Sequence, residues 1–256
     1  MTAEILFSHT GQIATITLNR PEKLNAMTKA MTALLEEYVA LCNSNNEIRV
    51  VILTSRGEKA FCAGSDIKDL DNFPTPWDWR THSGYCEAIR SIKKPTIAAI
   101  NGWALGGGLE MALGCDIRIS AIGAKFGAPE IKLGWIGGGG MSALLTEAIG
   151  SSNTAMMLLT GEPIDSQRAL NWGLVSEVVA SDQLMVRAQE IAETIAANAP
   201  IAAESAKSNI RAAFSMSRED AIAYERDLQV ICLATADAHE GRQAFKEKRK
   251  PIFTKR

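Results

Sequence analysis

The segment NGWALGGGLEMALGCD, Asn101–Asp116, sets three consecutive glycines, Gly106–Gly108, before an apolar run and places an acid, Glu110, just inside it. A helix start leaves its first N–H groups unpaired and carries the positive end of the helix dipole. Such a place stabilises negative charge developing on an oxygen. Gly107 has no side chain to keep a ligand from its own N–H. Glu110, three residues on, shares that face of the first turn. These residue types suit proton transfer beside an oxyanion. The plainer reading, that the glycines allow a tight strand-to-helix turn against the sheet, stands beside it.

A second turn repeats the pattern. In FCAGSDIKDL a strand and loop reach Ala63 and Gly64 and present the N–H of Ser65, with Asp66 placed to cap a helix beginning near Ile67. Two N–H groups converging on one oxygen make an oxyanion hole. A third stretch, FGAPEIKLGWIGGGG, puts Glu130 directly after Pro129, where an extended or turning backbone is expected rather than a helix interior. Two carboxyl groups near one polarised carbonyl can divide the work of acid and base.

Other chemistries are poorly provided for. The chain has only three histidines, His9, His82 and His239, none spaced three or four residues from another, and no G-x-S-x-G. That argues against a histidine triad or a zinc site. Five scattered cysteines without C-x-x-C spacing read as reduced thiols, not as a disulfide framework. A net charge of −2, with both signs spread along the chain, points away from nucleic acid and anionic membrane as partners. The basic ending FKEKRKPIFTKR reads as a solvated helix end and tail. The start MTAEILFSHT shows no secretory or transit pattern, and no apolar run approaches the ~20 residues of a membrane span. A cytoplasmic protein is expected.

The elements that must position these residues alternate. ILFSHTGQIATITLNR predicts two strands about Thr10-Gly11, and NAMTKAMTALLEEYVALC an amphipathic helix. IRVVILTS and KPTIAAI are short, almost wholly apolar strands of the kind buried on both faces. DIRISAIG and AKFGAPE continue as short strands. Past about Gly150 the pattern turns helical through SNTAMMLLT, SQRALNWG, LMVRAQEIAETIAANA and the long amphipathic stretch after Pro200. The class is α/β, with a core over residues 1–196 and a helical region over 197–256 whose apolar stripe must pack on the core or on another subunit.

Together FCAGSDI, INGWALGGGLEMALGCDIRIS, FGAPEIKLGWI, LNRPEKLNAM and HEGRQAFKEKRKPIF resemble the crotonase superfamily, in its enoyl-CoA hydratase/isomerase branch, over essentially the whole chain. The resemblance implies a crotonase-like spiral of ββα units with a helical C-terminal trimerisation region, in a homotrimer or a dimer of trimers. It implies an acyl-CoA substrate, with coenzyme A as part of the substrate and no separate cofactor or metal. The amides of Ser65 and Gly107 would hold the thioester oxygen. Glu110 would act chiefly on water and Glu130 on the α-proton, in syn addition of water to a 2-enoyl-CoA. Isomerases of the family can work with the latter acid alone, so the presence of both favours the hydratase. Isomerase, dehydratase and decarboxylase reactions remain the alternatives. The resemblance also places Lys23, Ala63, Asp66, Ile67, Lys68 and Gly138 along the acyl-CoA, and Phe245 and Lys248 at a neighbour's nucleotide end. For Lys23, Lys68 and Phe245 the plain alternative is a solvated or packing role.

Two departures stand out. Gly137 occupies the place of a common proline and is expected to loosen the following helix start. DNFPTPWDWRTHSGY, with Trp77, Trp79 and His82, is expected to form a lid or helix over the acyl chain. Two remoter readings complete the set. Gly138, Gly140 and Ala143 formally match the G-x-G-x-x-A dinucleotide fingerprint of an NAD-type oxidoreductase, and the same scaffold could serve a non-catalytic acyl-CoA binder.

Overall fold

The computed structural model of the chain describes residues 3–70, 75–81 and 84–256, with only the backbone of Leu70 and Thr81. β1 (Ile5–Thr10) and β2 (Ile13–Leu18) form an antiparallel hairpin closed at Thr10 and Ile13. After a 3-10 turn at Pro21–Lys23 comes α1 (Lys29–Ser44). Thr28 caps α1 by accepting the Met31 N–H at 3.1 Å, and Met31, Leu35, Val39 and Cys42 form its buried stripe at helical spacing.

From there the chain winds. β3 (Val50–Ser55) and β4 (Ala60–Cys62) lead into α2 (Ile67–Leu70), α3 (Pro76–Thr81) and α4 (Tyr85–Arg90). β5 (Thr96–Ile100) and β6 (Trp103–Leu105) lead into α5 (Gly107–Gly114). β7 (Ile117–Ala121) and β8 (Lys125–Gly127) lead through a 3-10 turn, Pro129–Leu133, into α6 (Met141–Thr160). β9 (Ile164–Asp165), α7 (Ser166–Trp172), β10 (Glu177–Val179) and α8 (Leu184–Ala196) close the core. The three middle turns each give their first strand, β3, β5 or β7, to a six-stranded sheet, β1-β2-β3-β5-β7-β10, and their second, β4, β6 or β8, to a four-stranded sheet, β4-β6-β8-β9. That alternation is the expected spiral of ββα units.

The almost wholly apolar strands β3 and β5 are buried on both faces, and their alternate residues feed two cores. Val51, Leu53, Ala98 and Ile100 pack with α1 in one. Val50, Ile52, Ile97 and Ala99 meet Leu184, Ala188, Ala192 and Ala196 of α8 in the other. α6 departs from helical backbone at Gly150 (φ 77°, ψ 161°), the point from which the sequence pattern reads as mostly helical.

α9 (Pro200–Ser215), α10 (Arg218–Leu233) and α11 (Ala236–Glu247) follow. α9 docks on the core through polar ties: the buried Lys207 ammonium donates to the Lys94 carbonyl at 2.7 Å and pairs with Asp116 at 2.8 Å. α10 buries no residue within the chain, leaving Val230 65%, Ile231 54% and Leu233 55% exposed. No helix among the described residues is long and apolar enough to cross a membrane.

Candidate active site

The two glycine turns touch. A Cβ on Gly64 would stand 3.2 Å from the Gly107 nitrogen and 3.3 Å from the Leu105 oxygen. The first turn is held from outside by the LNRPEKLNAM stretch. Ala63 N–H donates to the Leu24 oxygen at 3.0 Å, Met27 N–H to the Gly64 oxygen at 2.8 Å, and Asp66 N–H to the Met27 oxygen at 2.8 Å. Asn25, buried in left-handed backbone, donates from Nδ2 to the Ala60 oxygen at 2.8 Å and locks that stretch to β4. The amide between these anchored neighbours is that of Ser65. Among the described residues neither the Ser65 N–H nor the Gly107 N–H has an acceptor in the chain. Unpaired donors at adjoining turns, one at a helix start, are what an incoming oxyanion needs.

Both readings of the three glycines hold, residue by residue. A Cβ on Gly108 would overlap the Cys62 carbonyl and stand 2.7 Å from its carbon, so this glycine is there for close packing of α5 on β4. A Cβ on Gly107 would overlap the Tyr85 hydroxyl and stand 2.8 Å from Cζ. Tyr85 Oη in turn lies 2.8 Å from Ser65 Oγ, so this phenol spans the two turns. Burial pushes its pKa well above the ordinary value and keeps it a hydroxyl.

Glu110 is buried, as the first turn of α5 dictates. Its Oε1 accepts the Gly139 N–H at 2.7 Å and the Met141 N–H at 3.1 Å, and the Cys86 thiol approaches Oε2 at 3.7 Å. Glu130 is buried too, in a 3-10 turn with Pro129 at its first position, where a missing N–H costs nothing. The extended or turning segment expected there is this tight helical turn. Glu130 Oε1 lies 2.9 Å from where a Gly106 Cβ would be, and the buried Oε2 has no partner. Desolvation raises the Glu130 pKa above the usual carboxylate range, and the nearby Glu110 charge adds to the shift. An unpartnered buried oxygen on an acid biased toward its protonated form is poised to give a proton.

Ser65, Gly107, Glu110 and Glu130 are thus brought together. Asp66 caps α2 as expected, accepting the Lys68 N–H at 3.2 Å, and is also paired to Arg20 at 2.8 Å. That hydrogen bond from Arg20 holds its pKa below the ordinary range. Since the N–H groups of Ala63 and Asp66 are spent inside the chain, any backbone contact from these two to a ligand must use their carbonyls. Ile67 is 62% exposed, Lys68 is exposed beside it, and Gly138 faces open space. Lys23 is exposed on the first 3-10 turn. Phe245, 86% exposed, and Lys248, at the end of α11, have no described contact with the glycine turns. Trp77 and Trp79 are exposed on α3, while His82 lies outside the described residues. The dinucleotide fingerprint lacks its context: Gly138–Gly140 follow a 3-10 turn, not a strand, and the Gly139 N–H is committed to Glu110. Among the described residues no cluster of histidine, cysteine and acid side chains could hold a metal. Tyr85, Cys86, Arg20 and Arg90 were not singled out by sequence, since nothing in local spacing brings α4 to these turns.

Residues 8–256 match the model of the enoyl-CoA hydratase/isomerase family. The chain belongs to that family. It is 41% identical over 254 residues, 98% of each chain, to a probable enoyl-CoA hydratase of Mycobacterium bovis. It is 40% identical over 246 residues to the (E)-benzylidenesuccinyl-CoA hydratase of Thauera aromatica, covering 95% of this chain and 96% of that one. The solved enoyl-CoA hydratase of Bacillus anthracis superposes with a TM-score of 0.93 at 37% identity, over 99% of this chain and 100% of that one. The crotonase fold of the hydratase/isomerase family is therefore the fold of this chain, and the glycine turns lie where its β4–α2 and β6–α5 connections abut.

Proposed function

We propose that the chain is an enoyl-CoA hydratase, adding water reversibly and syn across the double bond of a 2-enoyl-CoA. The observation that carries this is the meeting of two acceptor-less amides, Ser65 and Gly107, flanked by two buried acids. The thioester oxygen sits between the amides, which makes the β-carbon electrophilic. Water bonds to that carbon as Glu110 takes its proton, and the π electrons move toward the thioester oxygen. The enolate collapses by taking the Glu130 proton onto the α-carbon. Burial of Glu130 supports the donor role, because it favours the neutral acid. An isomerase needs only the α-carbon acid, so a second acid held by two N–H bonds favours hydration.

Ala63, Asp66, Ile67, Lys68, Gly138 and Lys23 are proposed to border the acyl-CoA, which brings coenzyme A as part of the substrate. The apolar exposure of α10 and of Phe245 supports a trimer or dimer of trimers, built by residues 197–256 on a 1–196 core, with Phe245 and Lys248 acting toward a neighbour. Unpaired cysteines support a cytoplasmic setting. The test is loss of the enoyl-thioester absorbance of crotonyl-CoA and longer 2-enoyl-CoAs on adding the protein. A steady loss that reverses from the 3-hydroxyacyl side supports the proposal. No change across chain lengths, with isomerisation of a 3-enoyl-CoA instead, overturns it.

A further inference from the structure

The run Gly137–Gly140 lies so close against Glu110 that a side-chain carbon at either of two positions would displace the carboxylate or its neighbours. A Cβ on Gly137 would stand 2.8 Å from Glu110 Oε1 and 2.6 Å from the Met141 Cβ. A Cβ on Gly139 would stand 2.6 Å from Glu110 Oε2 and 2.8 Å from the Cys86 sulfur. Close wrapping of the carboxylate thus requires a segment with the greatest backbone freedom, which by itself would wander. Among the described residues, 136–140 is joined to α6 by the Leu144 N–H bond to the Gly140 oxygen, and its remaining hydrogen bonds to the rest of the chain run to Glu110 and Arg90: Gly139 N–H donates to Glu110, and the Arg90 guanidinium donates to the Gly139 oxygen. One peptide residue therefore has its N–H on the acid and its carbonyl on the cation.

Arg90 is itself fixed along its length. It is the last residue of α4, and its carbonyl accepts from Arg211 of α9 at 2.7 Å. Its Cγ passes 3.2 Å from where a Gly114 Cβ would stand, so its stem lies on the end of α5. Cys86, one helical turn before Arg90, faces the same way and reaches Glu110 Oε2. A charge-assisted bond from a side chain anchored at both ends is a strong tie for a carbonyl.

We propose that Arg90 is a positioning residue for hydration, acting on Glu110 through the Gly139 peptide and supplying the rigidity that the four-glycine segment lacks. The loosening expected from Gly137 is countered by this pin. The inference rests on the reading of Glu110 as the acid that handles water. It carries a split that general damage would not produce. Exchange of the α-protons of a saturated thioester needs the amides and Glu130 but no attacking water, so the pin serves hydration only.

The experiment uses Arg90→Met, which keeps the stem and removes the donors, and Arg90→Lys, which restores one. Hydration of crotonyl-CoA by Arg90→Met is expected to fall about tenfold or more in kcat with KM within about twofold, since misplacement of a catalytic group by about 1 Å can cost a hundredfold. α-Proton exchange of butyryl-CoA in deuterated water is expected to stay within about twofold of the parent, and Arg90→Lys to recover part of kcat. A third readout does not depend on the reaction: amide exchange in the peptide spanning 136–144 should speed up in Arg90→Met. Unchanged amide exchange, unchanged hydration, or an equal fall in hydration and α-proton exchange overturns the pin. If Arg90→Met does not fold, Arg90→Lys carries the same three readouts. A parent protein without hydratase activity defeats the proposed function, and the amide exchange then decides the pin alone.

Discussion

Replacing Gly107 by alanine tests the oxyanion site through a single methyl group. The new Cβ would overlap the Tyr85 hydroxyl and lie 2.8 Å from Cζ and 3.0 Å from Cε2. Carbon atoms in contact sit about 3.5–4.0 Å apart, so the ring must retreat by about 1 Å or the start of α5 must turn. If the ring yields, its 2.8 Å bond to Ser65 Oγ breaks, and the brace across the two turns is lost. If the helix start yields, the Gly107 N–H leaves its aim, and loss of one oxyanion donor costs about 10²–10³ in kcat, or roughly 2.7–4 kcal/mol. We expect kcat/KM for crotonyl-CoA to fall by about 10² or more while the melting temperature shows the fold intact. In a Tyr85→Phe background the overlapping oxygen is gone although the ring carbons still crowd the new methyl, so the same substitution should cost less, a coupling expected of touching groups. A Gly107→Ala protein within about threefold of the parent would refute the assignment of this amide.

The other expectations concern the acids and the packing. Glu110→Gln and Glu130→Gln should each lower kcat for hydration by at least ~10²-fold, measured at saturating crotonyl-CoA, while binding of the CoA ester persists. Glu130 donates as the neutral acid and its pKa is raised above the ordinary 4.5 by burial, so kcat should hold at low pH and decline as pH rises through that elevated value. A pH–rate profile with this limb at or below the ordinary glutamate range would contradict the role. The same shift makes the stability contribution of Glu130 complete below its unfolded pKa and lost as pH rises through the folded one, which urea melts across that window can follow. Gly108→Ala differs from Gly107→Ala because its Cβ meets the backbone of Cys62 rather than a movable tip. Overpacking of this kind costs about 1–3 kcal/mol, so the melting temperature should drop by several degrees.

Much of this was legible in the residues. The almost wholly apolar β3 and β5, the alternation of β2 and the stripe of α1 follow from the hydrophobic pattern alone. The glycine turns and both glutamates announced themselves because their chemistry is local: a helix start, an unpaired N–H, an acid one turn on. Glu130 was placed in an extended or turning segment and sits in a 3-10 turn, a difference that proline at its first position permits. What stayed hidden is tertiary. Tyr85 bridging Ser65 and Gly107, and Arg90 reaching Gly139 across 49 positions, depend on how α4 crosses α5, and no spacing in the sequence encodes that. Gly137 looked like a source of slack, whereas it and Gly139 let the chain lie close against a carboxylate.

The most direct measurement is a crystal structure of the protein with a bound acyl-CoA thioester. The account predicts the thioester oxygen about 2.7–3.1 Å from both the Ser65 and Gly107 nitrogens, with the Glu110 and Glu130 carboxyl groups beside the β- and α-carbons. A thioester oxygen bound away from those two amides, or an acyl chain that leaves both acids remote from its first carbons, would contradict it.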